Sequence, residues 1–195
     1  MDAGIIRSFI SIDLPEDIKA ELTRLQSILK AGDPSWLRWV NPANIHLTLK
    51  FLGDLSGDKI EEVKMALEDA AKGTGFFSLN IEGTGVFPNA KRIQVVWVGL
   101  GGDLNTLLDL QKRVEDNMEI IGYPPEGREF TPHLTLARVR FRPPPNELQK
   151  LTQLLTVTRP LESKFLVKNV NLMESRLTPQ GAIYSKLGSV IFNPT

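Results

Sequence analysis

The tetrapeptide His-Leu-Thr-Leu occurs twice, at 46–49 and at 133–136, and holds the chain's only two histidines. Each copy lies in a run of β-forming residues, so each reads as a strand whose alternate side chains point to opposite faces. His46 and Thr48 then share one face while Leu47 and Leu49 take the other; His133 and Thr135 stand in the same way against Leu134 and Leu136. The copies are 87 residues apart in a chain of 195. That spacing, close to half the length, points to a duplicated lobe in which each half contributes an equivalent strand. Two halves facing each other across a pseudo-twofold axis would bring two imidazoles and two hydroxyls to one cleft. Coincidence is a weak rival, because both histidines are followed at the second position by one of only twelve threonines, on the order of one chance in a few hundred.

Elsewhere strands and helices alternate, with no linker or low-complexity stretch. Residues 5–13 read as a strand. "LPEDIKAELTRLQSILKAG" follows as a helix, with Pro15 near its first turn, Ile18, Leu22, Leu25, Ile28 and Leu29 on one face, and Gly32 as its stop. Further helices are expected over 58–72 (Ile60, Val63, Leu67, Ala70), 103–121 (Leu104, Leu107, Leu108, Val114, Met118, Ile121, ended by Gly122) and 146–156. Strands are expected over 45–52, 76–83, 92–100, 131–142, 163–175 and 182–192. The pattern is α+β, and the repeat suggests two similar lobes. The length suits one two-lobed domain over 1–195.

Composition narrows the chemistry. Cysteine is absent, which removes disulfides, thiolate catalysis and cysteine-ligated metals. Lys and Arg number 23 against 23 Asp and Glu, so attraction of a polyanion must come from local charge. One basic run exists, Arg138, Arg140 and Arg142, which taken alone reads as a solvated strand edge rather than a phosphate site. The N-terminal stretch, broken by Arg7 and Asp13, lacks a signal-peptide core, and no run is long enough to span a bilayer. A soluble, cytoplasmic protein without a membrane partner is expected, and no Gly-x-x-x-x-Gly-Lys nucleotide loop is present.

Two imidazoles near neutrality can take opposite roles, one accepting a proton while the other donates one. Phosphodiester cleavage requires that pair: a base for the attacking oxygen and an acid for the leaving one. Each contributes typically ~10²–10⁴-fold. Thr48 and Thr135 supply short, stiff hydroxyls suited to the non-bridging phosphate oxygens. The scheme calls for no metal and no cofactor. The rival chemical reading, a two-histidine zinc site, lacks a carboxylate within the motif and the His-Glu-x-x-His spacing. The structural rival is that each histidine is a hydrogen-bonded strand residue.

With both motifs read, the chain resembles the two-histidine phosphoesterases, and within them the RNA 2′,3′-cyclic phosphodiesterases, also called 2′-5′ RNA ligases. That family carries paired His-x-Thr-x motifs, commonly extended to an aromatic in the first copy and an arginine in the second. "HLTLKF" supplies Phe51 and "HLTLAR" supplies Arg138, and "RSFISIDLP" is similar to the family's opening strand. The resemblance implies a bilobal α+β fold, two pseudo-symmetric lobes each with an antiparallel sheet and packed helices and the active cleft between them, that opens RNA 2′,3′-cyclic phosphate ends to 2′-phosphomonoesters without a metal, and in some members joins tRNA halves through a 2′-5′ linkage. It implies that one histidine protonates the departing 3′-oxygen while the other activates water. His46 is taken as donor and His133 as acceptor, with the reverse order open. Thr48 and Thr135 would hold phosphate oxygens, and Arg138 and Phe51 would bind substrate.

Strict alternation from His133 places Arg138 with the core leucines, and Phe51 likewise from His46, so both need a bulge to reach the cleft. Phe9 shares its strand face with Arg7, Ser11 and Asp13; it either stacks on a terminal base or packs between the lobes. The partner expected is RNA ending in a 2′,3′-cyclic phosphate, met by a monomer. The alternatives are a phosphodiesterase acting on small cyclic-phosphate nucleotides or 2′-5′ oligoadenylates, and a module that binds RNA ends without turnover.

Overall fold

The computed structural model describes residues 4–31, 35–179 and 181–194. Along the chain run β1 (Ile5–Ile12), α1 (Glu16–Lys30), β2 (Leu37–Trp39), β3 (Leu47–Ser56), α2 (Ile60–Ala71), β4 (Phe77–Asn89), β5 (Arg92–Gly102), α3 (Leu104–Ile120), β6 (His133–Val139), α4 (Pro145–Val157), β7 (Lys164–Val167), β8 (Asn169–Thr178) and β9 (Gly181–Ile191). They form two antiparallel sheets, ordered β3-β1-β8-β9 and β2-β6-β5-β4-β7. The order β3-β1-β8-β9 maps onto β6-β5-β4-β7, so each His-Leu-Thr-Leu strand holds the same place in its own sheet. The two motif strands approach each other where the lobes meet, with Cα atoms within 8 Å.

The helices are exchanged between the lobes. α1 leaves β1 of the first sheet yet packs on the second, where the buried Gln26 amide donates to the carbonyls of Val40 at 2.7 Å and Leu136 at 3.0 Å. α3 leaves β5 of the second sheet and covers the first, where Gln111 donates to the Leu49 carbonyl at 3.4 Å. α2 lies beside α3, and α4 contacts α1 and β4. Sequence explains α1 as an element: Glu16 and Asp17 in its first turn and Lys30 in its last complement the helix dipole. Ile18, Leu22, Leu25 and Leu29 recur at spacings of four and three and are buried.

Gly122 has φ +94°, the left-handed conformation that ends α3. Gly32, the expected stop of α1, lies outside the described residues.

Several expected elements change. The strand expected over 163–175 is two strands, β7 in the second sheet and β8 in the first, parted at Lys168. β2 is an unforeseen three-residue strand, too short for a periodic signal, which covers the outer side of β6. In α1, Ile28 sits at the edge of the apolar face and is exposed. In α3, Leu110 is buried in place of Leu108, which is 41% exposed. No helix among the described residues is long and apolar enough to cross a membrane.

Candidate active site

Each motif histidine is fixed by the backbone two residues before it. His46 Nδ1 lies 2.8 Å from the Asn44 carbonyl oxygen, and His133 Nδ1 lies 2.7 Å from that of Thr131. A carbonyl only accepts, so Nδ1 carries the hydrogen in both rings and Nε2 remains for proton exchange. The carbonyl under His46 belongs to a 3₁₀ turn over Pro42–Asn44, started by Asn41, whose side chain accepts from Ala43 N–H at 3.1 Å. Asn44 in turn donates its side-chain amide to the Ala182 carbonyl at 2.8 Å, tying this turn to β9.

Aromatic rings fix the imidazole planes. Phe9 stacks on His46, and Tyr184 of β9 meets the same ring edge-on at 5.1 Å. On the other lobe Phe87 of β4 meets His133 edge-on at 4.9 Å and leans on Trp97 at 5.0 Å. Trp97 is opposite Gly85 in the β4–β5 ladder, where an added Cβ would fall 2.3 Å from the indole ring. Glycine at 85 therefore makes room for the ring that backs Phe87. A pocket of about 270 Å³ opens beside His46, bounded by Asp13, Lys19, Asn44, Met173 and Tyr184.

Both strands contain the bulge that Arg138 and Phe51 required. In β6, Ala137 pairs with Val96 and Thr135 with Trp97, leaving Leu136 as the extra residue. In β3, Lys50 pairs with Ile10 and Thr48 with Ser11, leaving Leu49 as the extra residue, at the equivalent position of the motif. Leu136 and Ala137 are consequently both buried, as are Leu49 and Lys50, and the alternation restarts with Arg138 and Phe51 exposed on the histidine side. Gln26 and Gln111 bond the carbonyls of these two bulged leucines from the exchanged helices. Lys50, turned inward by the bulge, is fully buried; it is paired with Glu115 and donates to the Pro124 carbonyl at 2.8 Å.

Arg138 acts electrostatically on both histidines. Burial pushes both imidazoles below their ordinary pKa of 6.5, partly offset by the carbonyl each bonds, and the positive charge of Arg138 lowers both further. Asp13 acts on His46 alone and favours its protonated form. Burial raises Tyr184, against which Arg138 again acts. One guanidinium thus faces His46, His133 and Tyr184.

Phe9 is only 3% exposed, its ring occupied by His46 and Tyr184, so it supports the imidazole and has no free face for a base. Phe51 is 58% exposed with its ring 6.4 Å from that of Phe9, and is the aromatic open to a ligand. Tyr184 and Phe87 were not singled out from the sequence. Their signal is a ring on a strand, which acquires meaning only once β9 and β4 are set beside the motif strands. Among the described residues no three His, Asp or Glu side chains gather as metal ligands would.

The model of the "LigT like Phosphoesterase" family matches residues 12–97 and 102–184. An RNA 2′,3′-cyclic phosphodiesterase of Methanothermobacter thermautotrophicus is 36% identical over 183 residues, 93% of this chain and 96% of that protein. A protein of the same name from Aeropyrum pernix is 36% identical over 171 residues, 87% and 93% of the two chains. The fold matches a crystal structure from Thermus thermophilus with TM-score 0.79 at 25% identity, covering 97% of this chain and 99% of that one. It also matches E. coli LigT complexed with 3′-AMP, with TM-score 0.79 at 22% identity and the same coverage. With both motifs matched inside a fold of this shape, the chain belongs to the LigT-like phosphoesterase family.

Proposed function

We propose that this protein hydrolyses the 2′,3′-cyclic phosphate end of RNA to a 2′-phosphomonoester, with His46 as acid, His133 as base and no metal in the reaction. The observation that carries this reading is the matched pair of Nδ1–carbonyl bonds, at 2.8 and 2.7 Å, which leaves both Nε2 atoms for proton exchange from equivalent places in the two sheets. The names of the relatives supply the substrate class.

In the reaction, water attacks phosphorus and passes its proton to His133 Nε2. The P–O3′ bond breaks and His46 Nε2 protonates the departing 3′-oxygen. The product carries its phosphate on O2′, and exchange with solvent restores both rings. Asp13 supports the assignment of His46 as acid, since its negative charge favours the imidazolium there and not at His133. Thr48 and Thr135, each two residues after its histidine, would hold the non-bridging oxygens as charge builds on them. Arg138 would neutralise the phosphate, and Phe51 would stack on the terminal base. A 5′-hydroxyl in place of water would use the same two proton transfers to form a 2′-5′ linkage, which is how tRNA halves would be joined.

Turnover of a cyclic-ended oligonucleotide in EDTA, compared with cyclic mononucleotides and 2′-5′ oligoadenylate, tests the reading. Hydrolysis of the RNA end supports it. Activity confined to the small nucleotides, or binding without turnover, contradicts it.

A further inference from the structure

Arg38 is the central residue of β2 and lies directly opposite Arg138 in the antiparallel β2–β6 ladder. Directly opposed residues share a face, and like charges so placed repel. Leu37 is buried and Trp39 lies under Lys30, so both neighbours point away and Arg38 is exposed on the Arg138 side. Among the described residues neither arginine has a carboxylate partner, although the chain carries as many acidic as basic side chains. The first sheet also reaches this point: a Cβ at Gly181, the first residue of β9, would lie 3.8 Å from Nη2 of Arg38. The same hairpin carries Tyr184 and receives Asn44, so Arg38 stands at the mouth of the cleft that holds His46.

We propose that Arg38 binds the phosphodiester immediately 5′ of the reactive nucleotide, giving the enzyme a preference for a chain end over a free nucleoside cyclic phosphate. The inference rests on the hydrolase reading above. Two opposed guanidiniums without a counter-charge are stable together when anions occupy both, and an RNA end brings two in succession: the cyclic phosphate at Arg138 and the next phosphate at Arg38. β2 makes its position possible, since this short strand lies beyond β6 and extends the sheet on the side away from β5.

The test compares a nucleoside 2′,3′-cyclic phosphate with the same compound carrying a 5′-phosphate, by kcat/KM, in the wild type, Arg38→Gln and Arg38→Lys. The wild type should prefer the 5′-phosphorylated compound by roughly tenfold, Arg38→Gln should lose the preference, and Arg38→Lys should keep part of it. A salt series on binding of a 2′-phosphate-ended oligonucleotide runs beside it, where Arg38→Gln should lower the log–log slope by about 0.7 and Arg38→Lys should leave it unchanged. A preference untouched by Arg38→Gln, or a wild type without one, overturns the proposal. Silence of the wild type toward both cyclic compounds and toward a cyclic-ended oligonucleotide contradicts the hydrolase reading instead. The salt series then decides on Arg38 by itself, and an unchanged slope in Arg38→Gln overturns it.

Discussion

The Phe9 ring lies 4.6 Å from the His46 imidazole, centroid to centroid, with the planes inclined by 22°. A stack of this kind holds the ring against rotation about its last torsion, which the single Nδ1 bond to Asn44 does not do alone. Phe9→Leu should keep most of the fold's stability, at a cost of about 1 kcal/mol, while kcat falls roughly ten- to a hundredfold with little change in KM. Steady-state kinetics and urea unfolding on the same preparation check this. A fall in KM-linked binding alone would place Phe9 at the substrate.

Burial favours the neutral form of both imidazoles, so each loses its proton at lower pH than a free histidine. Since kcat/KM reports the free enzyme, its profile should be a bell with its maximum on the acid side of pH 6.5, the ordinary value for this group. Arg138 opposes the charge on both rings, so Arg138→Gln should move both limbs to higher pH as well as lower the rate. A profile flat from about pH 5 to about pH 9 would contradict a paired acid and base.

The buried Lys50–Glu115 pair ties the bulge of β3 to the helix that crosses from the other half of the chain. Glu115→Ala strands the ammonium and should cost about 3–5 kcal/mol in denaturant unfolding, whereas Lys50→Met together with Glu115→Leu should recover most of that loss. A single variant within about 1 kcal/mol of wild type would show that the pair is dispensable.

The exchange of α1 and α3 predicts that the two lobes unfold together as one domain. All three tryptophans, at 36, 39 and 97, are in or beside the second sheet, so their fluorescence follows that lobe while far-ultraviolet circular dichroism follows both. The two curves should coincide in urea. Separate midpoints would show lobes that fold independently.

The repeated motif made the paired sheets legible, with each copy at an equivalent place in its sheet, because period-two alternation needs no knowledge of the partner strand. The orientation of Arg138 and Phe51 was not legible in that way. A bulge is a mismatch between two strands, and only the pairing of Thr135 with Trp97 and Ala137 with Val96 exposes it. The resemblance carried both residues where periodicity opposed them. Alternation sets Phe9 on an otherwise polar face and leaves base stacking and packing both open; the stack with His46 is visible only once β1 and the first motif are side by side. The split of 163–175 between two sheets, and Tyr184 against His46, depend on how sheets are assembled, which local pattern does not encode.

The central claim is that the two copies of His-Leu-Thr-Leu act as one acid–base device. It is tested most directly by hydrolysis, in EDTA, of a short RNA ending in a 2′,3′-cyclic phosphate by the wild type, His46→Ala and His133→Ala, with phosphorus NMR reading where the product phosphate sits. The account predicts a 2′-phosphate from the wild type and a loss of roughly 10²-fold or more in each variant. Variants as active as the wild type, or a 3′-phosphate product, would contradict it.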